Sequence, residues 1–282
     1  MNQNIGYFEI SGKIIKIKDN SKISFLKSKI NGKGVLELKN KFRYEGEFKN
    51  GKMHGDGNIK YSNGDKYIGE FVNNKKHGDG ELTFSDGKIY LGEFKNDNMD
   101  GKGIYNYPDK RIYNGEILKN KRHGKGIFID INGGKYIGYY RDDFRHGHGI
   151  YIYPDKSRFE GEYINDKKNG FGTFQYANGN KYIGNFINNL KNGKGILIAT
   201  DGKKYEGEFK DNNFNGFGVL TYPDGSEFIK YEGNFINGIQ DGWGKLFDSN
   251  GLVYEGEFFN DKPLEKFKRK YYCKNNLIYI RN

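Results

Sequence analysis

Tyr44-Glu45-Gly46-Glu47-Phe48 is followed by Tyr67-Ile68-Gly69-Glu70-Phe71 and by Tyr90-Leu91-Gly92-Glu93-Phe94, with 23 residues between leading aromatics. The spacing continues through Tyr113, Tyr136, Phe159, Tyr182 and Tyr205. An insertion of three residues around Glu227-Phe228-Ile229 moves the next aromatic to Tyr231, and Tyr254 comes 23 later. Eleven residues after the aromatic stands a Gly-x-Gly, as at Gly55/Gly57, Gly78/Gly80, Gly101/Gly103 and onward to Gly242/Gly244. A fixed period of this length marks tandem structural repeats.

Each unit reads as a β-hairpin. With a strand period of two, Tyr44, Gly46 and Phe48 share one face and Glu45 and Glu47 the other. Lys49-Asn50-Gly51-Lys52-Met53-His54 reads as a polar loop, and a second strand runs from Gly55 through Gly57 and Ile59 to Tyr61. Ser62-Asn63-Gly64-Asp65 reads as a turn of the Asn-Gly kind. Strand glycines mark close approach of a neighbour, and here they are expected to make room for aromatics of the adjacent hairpin. The same pattern recurs at Gly69 and Phe71, Gly92 and Phe94, Tyr182, Gly184 and Phe186, and Tyr205, Gly207 and Phe209. An aromatic face repeated from unit to unit wants covering by a partner or by self-pairing. On the other face, Glu at the fourth position and Lys or Arg before the aromatic predict alternating charge. At about 4.8 Å per strand, ten to eleven hairpins extend to roughly 100 Å before twist. The fold class is therefore all-β, an elongated single-layer antiparallel sheet of tandem 23-residue β-hairpins.

Composition agrees. The chain has 282 residues, of which 42 are Gly, while Ala occurs only at 177 and 199. Such a mixture disfavours helices. No apolar run reaches the ~18–20 residues of a membrane-spanning helix. The start lacks the pattern of a secretory signal, and a lone Cys273 speaks for a reducing, cytoplasmic setting. The net charge of +11 is concentrated at the ends. Residues 1–43 hold ten Lys/Arg against three acids and residues 262–282 hold seven against Glu265, whereas 44–261 carry 30 bases and 32 acids. Nucleic-acid binding along the chain needs a continuous basic stripe and is disfavoured.

No catalytic group stands out. His54, His77, His123 and His146 share the place before the first Gly, but consecutive units lie about 10 Å apart, too far for one ion at Zn–N bonds of ~2.0–2.1 Å. The expectation is a polar turn role and no metal. The Gly-x-Gly elements lie between strands and open no helix, so they are not phosphate loops. Cys273 has no neighbouring His, and a flat sheet gives its carboxylates no pocket that raises their pKa. Neither an enzyme nor a cofactor is expected. Outside the repeats, Lys266, Lys268, Arg269 and Lys270 alternate with Phe267, Tyr271 and Tyr272. Such a basic, aromatic tail either caps the sheet or contacts acidic lipid or an acidic partner, at about 1 kcal/mol per cation near an anionic surface.

The unit Tyr44-Glu45-Gly46-Glu47-Phe48, His54-Gly55-Asp56-Gly57, Tyr61 and Asn63-Gly64 resembles a MORN repeat (membrane occupation and recognition nexus). The likeness divides the chain into 1–43, a cap with a degenerate repeat at about 21–43, then 44–261 with nine full repeats and one partial, then 262–282, a basic tail or cap. It departs from the pattern where the unit-end Gly is missing near Asp109 and Lys156 and where Asp248 replaces an aromatic. The resemblance implies a twisted sheet that serves as a scaffold for other cytoskeletal proteins, with the ciliary or flagellar axoneme and its radial spokes as the favoured place. It also implies homodimers as a partner mode, and binding of acidic phospholipid by the basic termini as the alternative function.

Overall fold

The computed structural model describes residues 6–10, 13–17, 30–264, 268–273 and 276–280, with residues 13, 15–17, 268–273 and 276–280 described by their backbone. The chain forms two compact units, 1–144 and 145–282. The described residues contain no helix, and their strand pairings are antiparallel, between chain neighbours except where Gly6–Ile10 pairs with Gly32–Leu38 and Leu252–Phe259 with Lys268–Cys273.

The repeated element is a hairpin with a two-residue turn. Phe42–Lys49 pairs with Lys52–Tyr61, so Tyr44 lies opposite Ile59, Gly46 opposite Gly57 and Phe48 opposite Met53. The second strand thus begins at Lys52, and the expected six-residue loop shrinks to Asn50-Gly51. Both turn residues have positive φ, 51° and 69°, as a type I′ turn requires, and Asn, Asp and Gly adopt that conformation at least cost. His54 accordingly sits in the strand and not in a turn. The Asn63-Gly64 turn differs, because only Gly64 has positive φ (98°) and its amide donates to the Tyr61 carbonyl at 3.0 Å. Where this glycine is missing, Lys110 and Lys156 take its place with φ of 73° and 71°.

Register builds a glycine row across the strands. Gly46 faces Gly57, which faces Gly69, which faces Gly80. In the second unit the row runs through Gly184, Gly195, Gly207 and Gly218. In most repeats a β-bulge follows the first glycine of the hairpin, as between Gly46 and Phe48 and again between Gly207 and Phe209.

The row makes room for a ring of its own hairpin, and the expectation of an adjacent one is corrected. A Cβ on Gly57 would lie 2.4 Å from Tyr44 Cε2, and one on Gly46 would lie 2.4 Å from the Tyr44 hydroxyl. The tyrosine lies flat on the backbone of both strands, and its hydroxyl donates to the Glu47 carbonyl at 2.8 Å. Tyr67, Tyr90 and Tyr113 repeat the contact and the bond. Alternation gives the face a side chain occupies but not the direction it takes along that face.

At the N-terminal side, Gly6–Ile10 pairs with both Lys13–Ile17 and Gly32–Leu38, and buried Phe8 meets Phe48 edge-on at 4.8 Å. Residues 21–29 of the expected degenerate repeat lie outside the described residues.

Candidate functional site

The aromatic face is covered by the chain itself. Tyr44, Tyr67, Tyr90, Tyr113, Tyr182 and Tyr231 are 0% exposed. Phe71 packs edge-on against Tyr67 of its own repeat at 5.2 Å and against Tyr44 of the preceding repeat at 5.1 Å. Phe94 does the same for Tyr67, Phe209 for Tyr182 and Phe258 for Tyr231. Every such ring pair is near perpendicular, the favoured geometry for aromatic quadrupoles. Burial raises the tyrosine pKa values, to about 12 for Tyr61 and Tyr231 and higher for Tyr44, Tyr67 and Tyr113. The expectation of an exposed aromatic face open to partners is therefore overturned: the rings are spent on repeat-to-repeat packing.

Two further positions of the repeat complete this face. The second turn residue, seven places after the leading aromatic, is Asn or Asp in most repeats. Its side-chain oxygen accepts the backbone amide of the preceding repeat's ninth place. Met53 donates to Asn74 at 2.8 Å, Met99 to Asn120 at 2.8 Å, Lys168 to Asn189 at 2.8 Å and Lys191 to Asn212 at 2.9 Å. The same residue's own amide donates back, as Asn74 does to the Met53 carbonyl at 3.0 Å. The ninth place in turn carries a cation in five repeats, laid over the rings. Lys168 Nζ lies 4.4 Å from the Phe174 ring centre and 5.1 Å from that of Phe159. Arg122 covers Tyr140 at 5.0 Å and Arg145 covers Tyr163 at 5.2 Å, geometries of cation–π attraction. Each arginine also meets a turn carboxylate, Arg122 with Asp143 at 3.3 Å and Arg145 with Asp166 at 2.9 Å. The clamp residues of Lys168 and Lys191 are neutral. Desolvation, helped by nearby Arg145, pushes the Lys168 pKa down to about 8. The sequence held the signal, a cation nine and an Asx seven places after the aromatic, but scattered lysines read as solvated surface.

The opposite face differs from the expected charge ladder. The fourth-position glutamates fold back onto their own hairpins, where Glu93 and Glu116 accept the amides of Lys102 and Lys125 at 2.9 and 3.1 Å. A Cβ on Gly55 or Gly216 would collide with the carboxylate of Glu47 or Glu208. The bases before the aromatic pair instead with the acid two residues on, Arg43 with Glu45 at 2.9 Å and Lys204 with Glu206 at 2.9 Å. Exposed pairs of this kind are worth ~0–1 kcal/mol. Between them apolar side chains stand out: Ile68 and Leu91 in the first unit, and Phe171, Phe217 and Trp243 in the second, are 51–59% exposed. Each of the three aromatics is the middle residue of a Gly-x-Gly. Phe171, Ile183, Lys194, Ile196 and Phe217 line an open cavity of about 490 Å³.

A family model described as "MORN repeat" matches ten successive segments: 44–66, 67–89, 90–110, 113–135, 136–158, 159–181, 182–204, 205–227, 231–253 and 254–263. The chain belongs to the MORN-repeat family. The family is one of non-catalytic repeats with a scaffold or interaction role. A search of curated proteins gives no match. Among solved structures, the chain is similar to the TCP domain of SAS-4 (dCPAP) of Drosophila melanogaster, in complex with a proline-rich motif of Ana2, at 16% identity. That likeness covers 55% of this chain and 85% of that one at a TM-score of 0.35. The TCP10 domain of Danio rerio CPAP is similar at 13% identity over 71% and 93% of the two chains, with a TM-score of 0.40.

Outside the MORN repeats, Lys266 lies outside the described residues. Lys268, Arg269 and Lys270 belong to the strand Lys268–Cys273, whose backbone pairs with Leu252–Phe259 and with Asn276–Ile280. The MORN histidines are not brought together: among the described residues no three His, Cys, Asp or Glu form a metal-binding group. The Nδ1 atoms of His54, His77 and His123 are buried without a hydrogen-bond partner. No described helix is long and apolar enough to cross a membrane.

Proposed function

We propose that this MORN-repeat protein is a non-enzymatic scaffold that holds other proteins in a cytoskeletal assembly, with a ciliary or flagellar axoneme of the radial-spoke type as its favoured site. One observation supports the docking surface. The buried ring ladder is satisfied within the chain, while Ile68, Leu91, Phe171, Phe217 and Trp243 project from the other face. Apolar side chains exposed at recurring positions of a sheet face mark an interaction surface.

The test is affinity capture of the tagged protein from its own cells, with crosslinking and mass spectrometry. Defined protein partners crosslinked along 44–261 support the scaffold, and their identity names the structure. Crosslinks between two copies of the chain would make the homodimer part of it. A free monomer without partners sinks the proposal.

The charge excess at 1–43 and 262–282 favours a second reading, a peripheral tether on acidic phospholipid. Co-sedimentation with phosphoinositide vesicles that falls steeply with salt supports it. Unchanged binding after neutralising Lys266, Lys268, Arg269 and Lys270 counts against the tail.

A further inference from the structure

The five repeats with a cation in the ninth place show what this ring face accepts, and two repeats of the second unit break their pattern. Phe214 stands in that place in one and lies flat on Tyr205, centroids 3.7 Å apart at 9°. Gln240 stands there in the next. It is 6% exposed, and its Nε2 donates to the Tyr222 hydroxyl at 2.9 Å. Its backbone amide donates to Asp261 Oδ1 at 2.8 Å, so Asp261 clamps Gln240 as Asp143 and Asp166 clamp Arg122 and Arg145. Those two acids meet a guanidinium, whereas Asp261 meets a neutral amide. Among the described residues no ion pair forms at Asp261.

Two more departures open space at the same place. Ala199 stands where other repeats carry Tyr61, Tyr107, Tyr153, Tyr176 or Tyr222. The three inserted residues bring Phe228 to 6.2 Å from Tyr222, ring centre to ring centre. The outcome is a cavity of about 410 Å³ walled by Tyr205, Phe214, Tyr222 and Phe228, with Gln240 and Asp261 as polar groups. Lys203 also lines it but is ion-paired with Asp201 at 3.4 Å.

We propose that this cavity is a binding site for an organic cation, a guanidinium or alkylammonium group, received between the rings and opposite the Asp261 carboxylate. The group belongs either to a free small molecule or to an arginine or lysine side chain of a partner. Ring faces are electron-rich and attract weakly hydrated organic cations. The same faces and the carboxylate repel anions. Compact, strongly hydrated metal ions gain too few ligands here to replace their water.

The experiment titrates the full chain with N-acetyl-arginine methylamide and N-acetyl-lysine methylamide by calorimetry, against the neutral isostere N-acetyl-citrulline methylamide. Removing the ligand's charge is expected to weaken binding about tenfold or more. Gln240→Arg supplies the chain's own guanidinium to Asp261, so it is expected to abolish binding and raise Tm. Asp261→Asn keeps an acceptor for the Gln240 amide, as Asn189 does for Lys168. It is expected to weaken cation binding about tenfold while leaving the citrulline probe unchanged. A short arginine-bearing peptide that binds tighter than the free amide assigns the site to a partner side chain, and the reverse order assigns it to a small molecule. Equal affinity for citrulline, no binding of either cation up to about 10 mM, or undiminished binding by Gln240→Arg would overturn the proposal.

Discussion

The tyrosine that leads most repeats survives in a one-layer sheet because it lies down. Its ring covers the glycines of its own two strands, its hydroxyl satisfies the carbonyl at the bulge, and an edge-on ring from the next repeat closes it off. The closeness of that fit predicts the effect of a single methyl group. Gly57→Ala puts a Cβ within 2.4 Å of Tyr44 Cε2 and is expected to destabilise by about 2–3 kcal/mol in urea unfolding, as overpacking does. The two residues should couple, with Tyr44→Ala costing less in the Gly57→Ala background than alone. Additive losses would show that the glycine is there for another reason. The period of 23 and the identity of the small and large residues were readable directly. What the glycines shelter was not, because residue alternation carries no information on side-chain direction.

At the scale of the hairpin, the two turns make different demands. The Asn-Gly signal is present in both, at Asn50-Gly51 and at Asn63-Gly64, and only the backbone shows that the first is type I′ while the second needs one left-handed residue. Met53 and His54 looked like loop because they follow polar residues, yet a two-residue turn leaves them in the strand. The inter-repeat clamp was legible as a recurring Asx but had no evident partner, since its partner lies 21 residues back. Asn120 combines both roles, with φ of 67° and an oxygen on the Met99 amide. Thermal unfolding is expected to rank its variants. Asn120→Asp should be near neutral; Asn120→Gly should lose about 1 kcal/mol with the hydrogen bond. Asn120→Ala should lose about 2–3 kcal/mol because left-handed strain is added. A Gly variant as damaging as the Ala variant would remove the clamp from the account. The opposite change is expected to help: Lys156→Gly relieves a left-handed lysine and should add about 0.5–1.5 kcal/mol, with unchanged or lowered Tm as the contrary result.

Over the whole molecule, the repeated burial of tyrosines and cations makes stability a function of pH. Unfolded tyrosines ionise near pH ~10, while the buried ones hold their protons, Tyr61 and Tyr231 to about pH 12 and others beyond. Their contribution is present below pH ~10 and is lost as the pH climbs past it. Lys168 acts in the other direction. With a folded pKa of about 8 against ~10.4 unfolded, the unfolded chain binds the extra proton in that window, so stability rises with pH there. Wild type is therefore expected to gain Tm relative to Lys168→Met between pH 8 and 10, and both should fall above it; parallel curves throughout would contradict the buried cation. The ring cover and the turn clamp also share a polarity: Phe71 closes Tyr44, and Asn74 holds Met53, so a repeat is completed by its C-terminal neighbour. A ribosome makes the chain in the opposite sense of need. At ~5–20 residues per second, each newly emerged hairpin waits on the order of 1–5 s for the 23 residues that finish it. The growing end is thus always one repeat short of native, and a stall during translation leaves an unfinished, ring-bearing edge open to chaperones or to another nascent copy.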